Sequence, residues 1–291
     1  MNDRAALAAA DRLPPFRVDA HQHFWEIESG AYDWPTPADG PIHRNFGPDD
    51  LRPELEASGI DRTVVVQAVN TLADTDAMLA AAAAHAWIGG VVGWVPLDRV
   101  KDAADAIDLR MDLGLRGIRH LIHHETDPDW LIRREVGDGL ALLQARNLAF
   151  DVVAVFPDHL RHVPVVADRF PDLVLVIDHL AKPPIRGAGW SQWKDELAAA
   201  ARRPNVVAKL SGLDTAAGAN WTATELRPSV EAALEAFGPE RLMFGSDWPV
   251  CTLVSGYREV VSAVQELLSA LGPGERDLVL GGTATRVYGL R

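Results

Sequence analysis

The amino-acid sequence predicts an α/β protein of the (β/α)8 TIM-barrel class. Eight short apolar segments alternate with eight longer segments rich in Ala and Leu, which is the pattern of repeated strand–helix units. The length of 291 residues suits such a barrel, since this fold commonly takes about 250 residues as one domain. A glycine-rich dinucleotide-binding turn is missing after the first apolar segment, which argues against an open doubly wound sheet.

The predicted strands are almost continuously apolar and rich in β-branched residues. Parallel strands that are covered on both faces have this character. In chain order, the predicted strands are Phe16–Ala20, Thr63–Ala68, Gly90–Val95, Gly117–Leu121, Ala149–Val155, Leu173–Ile177, Val206–Leu210 and Leu242–Gly245.

The predicted helices occupy the segments between these strands. Gly59 after the first helix, and Gly238 with Pro239 after the seventh, are typical stop signals. In chain order, the helices are Pro48–Ser58, Asp74–Ala86, Asp102–Leu113, Arg134–Arg146, His159–Phe170, Ser191–Arg202, Thr224–Phe237 and Tyr257–Leu271. The segment Phe24–Gly47 is rich in Pro, Gly and Trp, and we expect an ordered loop over the barrel mouth.

We expect residues 16–291 to form a single barrel domain, preceded by an N-terminal arm over residues 1–15. The apolar run of that arm is shorter than a signal-peptide core, and Asp3 and Asp11 flank it. No stretch approaches about 20 apolar residues, so no membrane span is expected. The single cysteine, Cys251, precludes an intramolecular disulfide and favours the reducing cytoplasm.

The charge of the chain disfavours a nucleic-acid partner. Asp and Glu number 41 against 28 Lys and Arg, which gives a formal net charge of -13. Duplex binding relies on basic side chains that neutralise phosphates, and this excess is acidic. A small-molecule substrate remains compatible, because a pocket can differ in charge from the bulk surface. Association into a homo-oligomer through the outer helices stays open.

Two histidines lie at the end of the first predicted strand. His21 and His23 are two residues apart, so on a strand their side chains face the same side. In barrels of this class, active sites form at the carboxyl ends of the strands. Paired imidazoles there can bind a divalent metal or the carbonyl oxygen of a substrate.

A third histidine and a carboxylate follow two other strands. His179 comes after the sixth predicted strand, and Asp247 comes after the eighth. An aspartate in this place can ligate a metal or take a proton from an attacking water. Taken singly, His179 could be a core histidine and Asp247 a helix N-cap. Four such residues at three strand ends favour a catalytic site.

The motifs around these residues resemble those of the amidohydrolase superfamily. They are Asp19–Trp25 (DAHQHFW), Ile177–Pro183 (IDHLAKP) and Gly245–Pro249 (GSDWP), and the likeness extends to Lys209–Leu213 and Phe237–Leu242. Within the superfamily the chain is similar to the sugar-lactonase branch, which contains L-fuconolactonases, L-rhamnono-lactonases and dicarboxylate-lactone hydrolases. The resemblance covers nearly the whole chain.

This resemblance implies a distorted barrel that hydrolyses a small-molecule lactone. His21, His23, His179 and Asp247 would bind one divalent metal, with zinc favoured, or the histidines would polarise the carbonyl without a metal. Asp247 would act as general base and His179 as a second catalytic residue. Strands four and five lack the bridging Lys or Glu and the further His of two-metal members, so two ions are not expected. Thr283 stands where many relatives carry Asn, and it is expected to support the last helix.

Four further residues are candidates for substrate contacts. Arg119 and His120 end the fourth strand, where a guanidinium can bond both oxygens of a carboxylate, although a salt bridge at the rim is an alternative. Trp25 and Trp248 could wall the pocket against a sugar face, or simply pack beneath the loop. The run His123–Glu125 is expected to be a solvated loop.

Two other functions stay open at the level of sequence. Non-oxidative decarboxylases of the same superfamily carry a similar set of His and Asp, but many have Glu where this chain has His21. A ligand-binding or metal-binding barrel without catalysis is the other alternative. Release of carbon dioxide, or binding of a sugar acid without turnover, would distinguish these from a lactonase.

Overall fold

A computed structural model describes residues 16–29, 32 and 34–290 of the chain. Eight parallel strands form a sheet in sequential order, with helices around it, which confirms the predicted (β/α)8 barrel. The predicted arm over residues 1–15 lies outside the described residues. The strands are β1 Val18–Gln22, β2 Arg62–Val66, β3 Ile88–Gly93, β4 Leu115–His120, β5 Ala149–Val152, β6 Leu175–Ile177, β7 Val206–Leu210 and β8 Leu242–Phe244.

The barrel is nearly closed by contacts between its first and last strands. Gln22 forms an isolated parallel bridge with Trp248, just beyond β8. The backbone N–H of His23 donates to the carbonyl of Trp248 at 2.7 Å, and that of Asp247 donates to the carbonyl of His21 at 2.8 Å. These bonds place the residues after β8 directly beside the end of β1, where the candidate site lies.

The helices follow the strands and cover the outside of the barrel. They are α1 Pro48–Ser58, α2 Leu72–Ala84, α3 Val100–Asp108, α4 Arg134–Ala145, α5 Val163–Arg169, α6 Trp190–Ala201, α7 Leu213–Ala217, α8 Ala223–Phe237, α9 Tyr257–Leu267, α10 Pro273–Asp277 and α11 Thr283–Val287. Among the residues described, no helix is both long enough and apolar enough to cross a membrane.

Several predicted boundaries shift in the structure. Strand β1 runs on to Gln22, two residues beyond its predicted end, because it pairs with β2 up to Val65. The predicted helix His159–Phe170 divides into a 3-10 turn and α5, since Pro164 lies in the first turn of α5, where its missing N–H costs nothing. The predicted helix Asp102–Leu113 ends earlier, at the end of α3.

Two apolar clusters hold the barrel together. The larger one lies between the strands and the helices. The second joins alternate strand residues with the C-terminal segment; it comprises Val18, Ala20, Val64, Val66, Val92, Ala149, Val176, Val207, Met243, Ala284, Tyr288 and Leu290. Val174 and Gly90, near the amino ends of their strands, lie against this cluster, so the C-terminal segment covers the end of the barrel opposite the candidate site.

Thr283 has a structural position, as expected. It is fully buried at the start of α11, and its hydroxyl donates to the carbonyl of Glu240 at 3.1 Å. Glu240 belongs to the 3-10 turn that leads into β8. Thr283 therefore fastens the last helix to the approach of the strand that precedes Asp247.

Candidate active site

The four residues singled out by sequence come together at the carboxyl ends of β1, β6 and β8. The ring centroid of His21 lies 4.9 Å from that of His23 and 4.5 Å from that of His179. One oxygen of Asp247, Oδ1, lies 3.4 Å from His23 Nε2, 3.7 Å from His21 Nε2 and 3.9 Å from His179 Nε2. A single carboxylate oxygen therefore faces three imidazole rings.

An irregularity in β1 accompanies the convergence of its two histidines. Asp19 pairs with Thr63, but the next registered pair is Gln22 with Val65, so three steps on β1 match two on β2. Asp19 accepts hydrogen bonds from Ser246 and from the Tyr257 hydroxyl of the outer helix α9. The bulge leaves Asp19 outward and His21 inward, although these residues are only two apart.

Left-handed backbone shapes the other side of the site. Four consecutive residues, His179–Lys182, have φ between 50° and 60°, and Asp247 has φ 56°. Such values are uncommon for residues with a side chain and cost about 1–3 kcal/mol each. Gly212 lies beneath them, and a Cβ there would come within 2.7 Å of His179 Nδ1 and 3.2 Å of Asp247 Oδ2. Position 212, just after β7, therefore requires a glycine, because a Cβ atom there would clash with His179.

The buried environment sets the charges of the site. Burial alone would raise the pKa of Asp247, but the neighbouring His179, His23 and His21 together outweigh it and hold that pKa well below its usual value. Burial lowers the pKa of His179 to about 4 and that of His21 well below its usual value. At neutral pH, Asp247 is therefore an anion while His21 and His179 are uncharged. This combination can accept a proton and can also bind a metal.

The donor set fits one divalent ion. Ligand atoms of His21, His179 and Asp247 all lie within 4.8 Å of one another, the one group of this kind among the described residues. Two neutral imidazoles and a carboxylate are ligands that zinc takes. The Nδ1 atom of His179, on the side of the ring away from Asp247, contacts Ser211 Oγ at 2.9 Å. The Nδ1 atom of His23 contacts the carbonyl of Val66 at 2.7 Å. Such outer partners orient metal-binding imidazoles.

A cavity of about 360 Å³ opens over these residues. This volume lies within the range of small-molecule sites, about 300–1,000 Å³. Apolar and cationic side chains share its walls. It is lined by His23, Trp34, Ala68, Val69, Arg119, Leu121, His123, His124, Val153, His179, Lys182, Asp247 and Val250.

Three of the four predicted substrate contacts lie outside this lining. His120 bonds Glu125 at 2.7 Å and stacks on Trp130 at 3.9 Å, because adjacent strand residues face opposite sides and only Arg119 points inward. Trp25 donates its indole N–H to a loop carbonyl at 2.9 Å. Trp248 packs edge-on against Phe46, with centroids 5.3 Å apart. Both tryptophans make packing contacts beneath the loop, and their contact with a substrate stays a prediction.

Arg119 lines the cavity but is already held by protein groups. Its Nη1 donates to Asp178 Oδ2 at 3.2 Å and lies 3.3 Å from His21 Nε2, while Nη2 donates to the carbonyl of Gln67. It is 4% exposed. Arg119 therefore joins an internal ion pair and, at the same time, presents positive charge beside the histidines.

Some residues of the site were missed or misplaced by sequence reasoning. The loop containing His123 was expected to be solvated, yet His123 is partly buried and lines the cavity. Lys209 and Asp151 lie fully buried inside β7 and β5, and Asp178 lies fully buried after β6. A charged residue inside an apolar strand was the available signal, because Lys and Asp are rarely buried unless paired.

The chain belongs to the Amidohydrolase family, whose match covers residues 18–290. This membership confirms the predicted superfamily and the predicted hydrolase class. The fold has eight strand–helix units, with histidines at the carboxyl ends of strands one and six and an aspartate after strand eight, which agrees with this membership.

Proteins of known name resemble the chain over nearly its full length. An L-fucono-1,5-lactonase of Burkholderia ambifaria is 40% identical over 277 residues, which cover 94% of this chain and 95% of that protein. An L-fucono-1,5-lactonase of Burkholderia multivorans is 38% identical over 292 residues, covering 94% and 96%. A zinc-bound crystal structure of an amidohydrolase from Burkholderia multivorans is 34% identical and covers 95% of this chain and all of that one, with a TM-score of 0.86.

Proposed function

We propose that this chain is a lactonase that opens a sugar lactone, with L-fucono-1,5-lactone as the first candidate substrate. The observation that carries the proposal is the ionised Asp247, which faces three imidazoles on the wall of a sugar-sized cavity. The similarity of the chain to two L-fucono-1,5-lactonases supports the choice of this lactone as the first candidate substrate.

The reaction begins with a water molecule beside Asp247. The carboxylate takes a proton from the water as the oxygen attacks the lactone carbonyl. The imidazoles of His21, His23 and His179 face the carbonyl oxygen, and N–H groups of His21 and His179 stabilise the tetrahedral oxyanion, which is usually a large term in acyl transfer. His23 donates its Nδ1–H to the carbonyl of Val66 and faces Asp247 with Nε2. The ring C–O bond then breaks, and the alkoxide takes the proton back from Asp247 or from solvent.

One divalent ion, with zinc as the first candidate, would be held by His21, His179 and Asp247. When bound, such an ion supplies Lewis-acid polarisation of a carbonyl oxygen. The remaining lining residues bind and orient the sugar. Trp34 offers an aromatic face, and Arg119 and Lys182 offer donors to hydroxyl groups.

We also propose that the protein acts in the cytoplasm on a small molecule alone. Cys251 is buried and unpaired, which suits a reducing compartment. The excess of acidic residues argues against a nucleic-acid partner.

A pH-indicator assay with a panel of sugar and dicarboxylate lactones tests this function. The panel is run with and without chelator, and we expect fastest acid release from a six-membered sugar lactone. Asp247→Asn on the same panel shows whether hydrolysis belongs to this site. Absence of hydrolysis over the whole panel, together with carbon dioxide release from an aromatic acid, would establish the decarboxylase alternative instead.

A further inference from the structure

His120, the last residue of β4, lies outside the cavity lining, in a cluster of side chains behind the cavity wall. Its Nδ1 lies 3.0 Å from the indole nitrogen of Trp94, and its Nε2 lies 2.7 Å from Glu125 Oε1. Its ring stacks on Trp130, with centroids 3.9 Å apart, and is 6% exposed. Protein groups therefore occupy both nitrogens and one face of this histidine.

The donors and acceptors around His120 fix the direction of its hydrogen bonds. An indole N–H can only donate, so Nδ1 accepts the bond from Trp94. Since a neutral imidazole carries one proton, that proton is on Nε2. The nearest acceptor is Glu125 Oε1 at 2.7 Å, whereas the amide nitrogen of Asn70 lies farther away, at 3.2 Å. His120 therefore donates its Nε2–H to the carboxylate of Glu125.

This bond closes the short loop that follows β4. The loop turns through a 3-10 helix over Ile122–His124, and its own backbone hydrogen bonds join residues three apart, at 3.0 and 3.1 Å. Asn70 holds the near end of the loop, because its side-chain oxygen accepts the backbone N–H of Leu121 at 3.0 Å. The bond from His120 to Glu125, here called the clasp, holds the far end.

The clasped loop forms part of the cavity wall. Leu121, His123 and His124 line the cavity. The groups that surround Asp247 come from the ends of β1, β6 and β8, whereas the clasp joins the end of β4 to the loop that leaves it. The clasp therefore bears on where a substrate is held rather than on the atoms that react.

We propose that His120 and Glu125 are positioning residues that hold the loop Leu121–Glu125 in place, with His123 and His124 against the bound sugar. The consequence for catalysis rests on the proposed lactonase function. A loop that is already ordered loses less entropy when substrate binds, so the clasp lowers KM for the lactone. It leaves kcat unaltered, because none of its atoms contacts the groups around Asp247.

Steady-state kinetics of two variants at Glu125 test the clasp. Glu125→Ala removes it, whereas Glu125→Gln retains it, because an amide oxygen still accepts the Nε2–H. The Glu125 side chain is 31% exposed, so both variants should fold. On one sugar lactone we expect Glu125→Ala to raise KM about tenfold, the scale of a hydrogen bond to a charged group, with kcat within about twofold. Glu125→Gln should keep KM near that of the unaltered protein.

A second variant controls for the loss of one carboxylate. Glu135 is exposed on α4, outside the cavity lining, and Glu135→Ala should leave both KM and kcat unaltered. If Glu125→Gln raises KM as much as Glu125→Ala, the charge of the carboxylate matters and the hydrogen bond does not, which would overturn the proposal. A fall in kcat with KM unaltered would overturn it too.

Hydrogen exchange tests the clasp without any substrate. The backbone amides of His124 and Glu125 bond to carbonyls within the loop, so they report its opening. We expect them to exchange about tenfold faster in Glu125→Ala and at an almost unaltered rate in Glu125→Gln. The 3-10 turn Met111–Leu113, which precedes β4, is the internal control.

Unaltered exchange of the loop amides in Glu125→Ala would overturn the proposal, because the loop would then be held by its other contacts. Faster exchange in both the loop and the control turn would mean a general loss of stability and would overturn it equally. Failure of the lactone panel would leave the exchange comparison intact, so the two proposals can fail separately.

Discussion

At the scale of single residues, the charge of Asp247 is set by its surroundings. An isolated buried carboxyl would take up a proton, because burial disfavours its charge. Here the three histidines outweigh burial and hold the pKa of Asp247 below its usual value. Its backbone is left-handed, and its carboxylate faces the rings and caps no helix, since Pro249 occupies the cap of the following turn.

Replacing this carboxylate should remove the base while keeping the fold. We predict that Asp247→Asn lowers kcat on a good lactone by about 10²–10⁴-fold, because asparagine takes no proton from water. Initial rates and thermal unfolding measure the two effects. Asp138→Asn, an exposed change on α4, serves as the control for loss of one negative charge. Near-normal turnover by folded Asp247→Asn would contradict the assignment.

The pH profile should reflect the buried histidine. Burial lowers the pKa of His179 to about 4, so the ring is neutral above that pH and gains a proton only below it. We predict that kcat/KM stays level from about pH 8 to about pH 5 and declines toward pH 4 as His179 becomes charged. A decline centred near 6.5, the ordinary value for histidine, would show that the ring is not held neutral in this way.

At the scale of elements, the number and order of the strands and helices were predictable from local pattern, whereas several of their boundaries were not. His21 and His23 could be picked out because they come at the end of an apolar segment. His179 and Asp247 each follow another such segment. Helix α1 runs over Pro48–Ser58 as predicted, since its proline start and glycine stop are local signals.

The details that position the side chains were not predictable from that pattern. The bulge in β1 depends on the pairing of this strand with β2. The left-handed backbone of His179–Lys182 contains no glycine, so the sequence there gives no sign of it. Lys209 pairs with Asp151 on β5 and with Asp178 just after β6, so this buried charge cluster becomes visible only when the barrel closes. Such tertiary contacts override local preference, and they concentrate at the site.

The turn after β7 offers a test of this close packing. We predict that Gly212→Ala lowers activity strongly, because its Cβ would lie 2.7 Å from His179 Nδ1 and 3.2 Å from Asp247 Oδ2. Gly59→Ala is the matched control: Gly59 is left-handed like Gly212, with φ 65° and ψ 35° against 59° and 19°, but a Cβ there meets nothing within 4 Å. Both changes should cost about 1–2 kcal/mol of unfolding free energy for backbone strain.

Only the change at Gly212 should affect catalysis if contact with the two side chains matters. Urea unfolding gives the stability of each variant, and initial rates on one lactone give the activity. Equal activity losses in the two alanine variants would mean that backbone strain alone is responsible.

At the scale of the whole molecule, the two ends of the barrel are linked through its interior. The carboxyl ends of the strands carry the site, and the C-terminal segment covers the opposite end. Tyr288 reaches into the barrel, where its hydroxyl bonds both oxygens of Asp151 at 2.8 and 3.0 Å. Asp151 in turn holds Lys209, which lies behind His21. The C-terminal segment therefore supports the floor of the site.

This linkage predicts graded effects at Tyr288, which is 1% exposed. Tyr288→Phe removes only the hydroxyl and should cost about 1–3 kcal/mol, because Asp151 loses a donor while remaining buried. Tyr288→Ala also removes a ring packed in the inner cluster and should cost about 3–5 kcal/mol. Urea unfolding followed by tryptophan fluorescence measures both. Equal losses would assign the whole effect to the hydroxyl, and no loss in either variant would show that the C-terminal segment does not support the barrel.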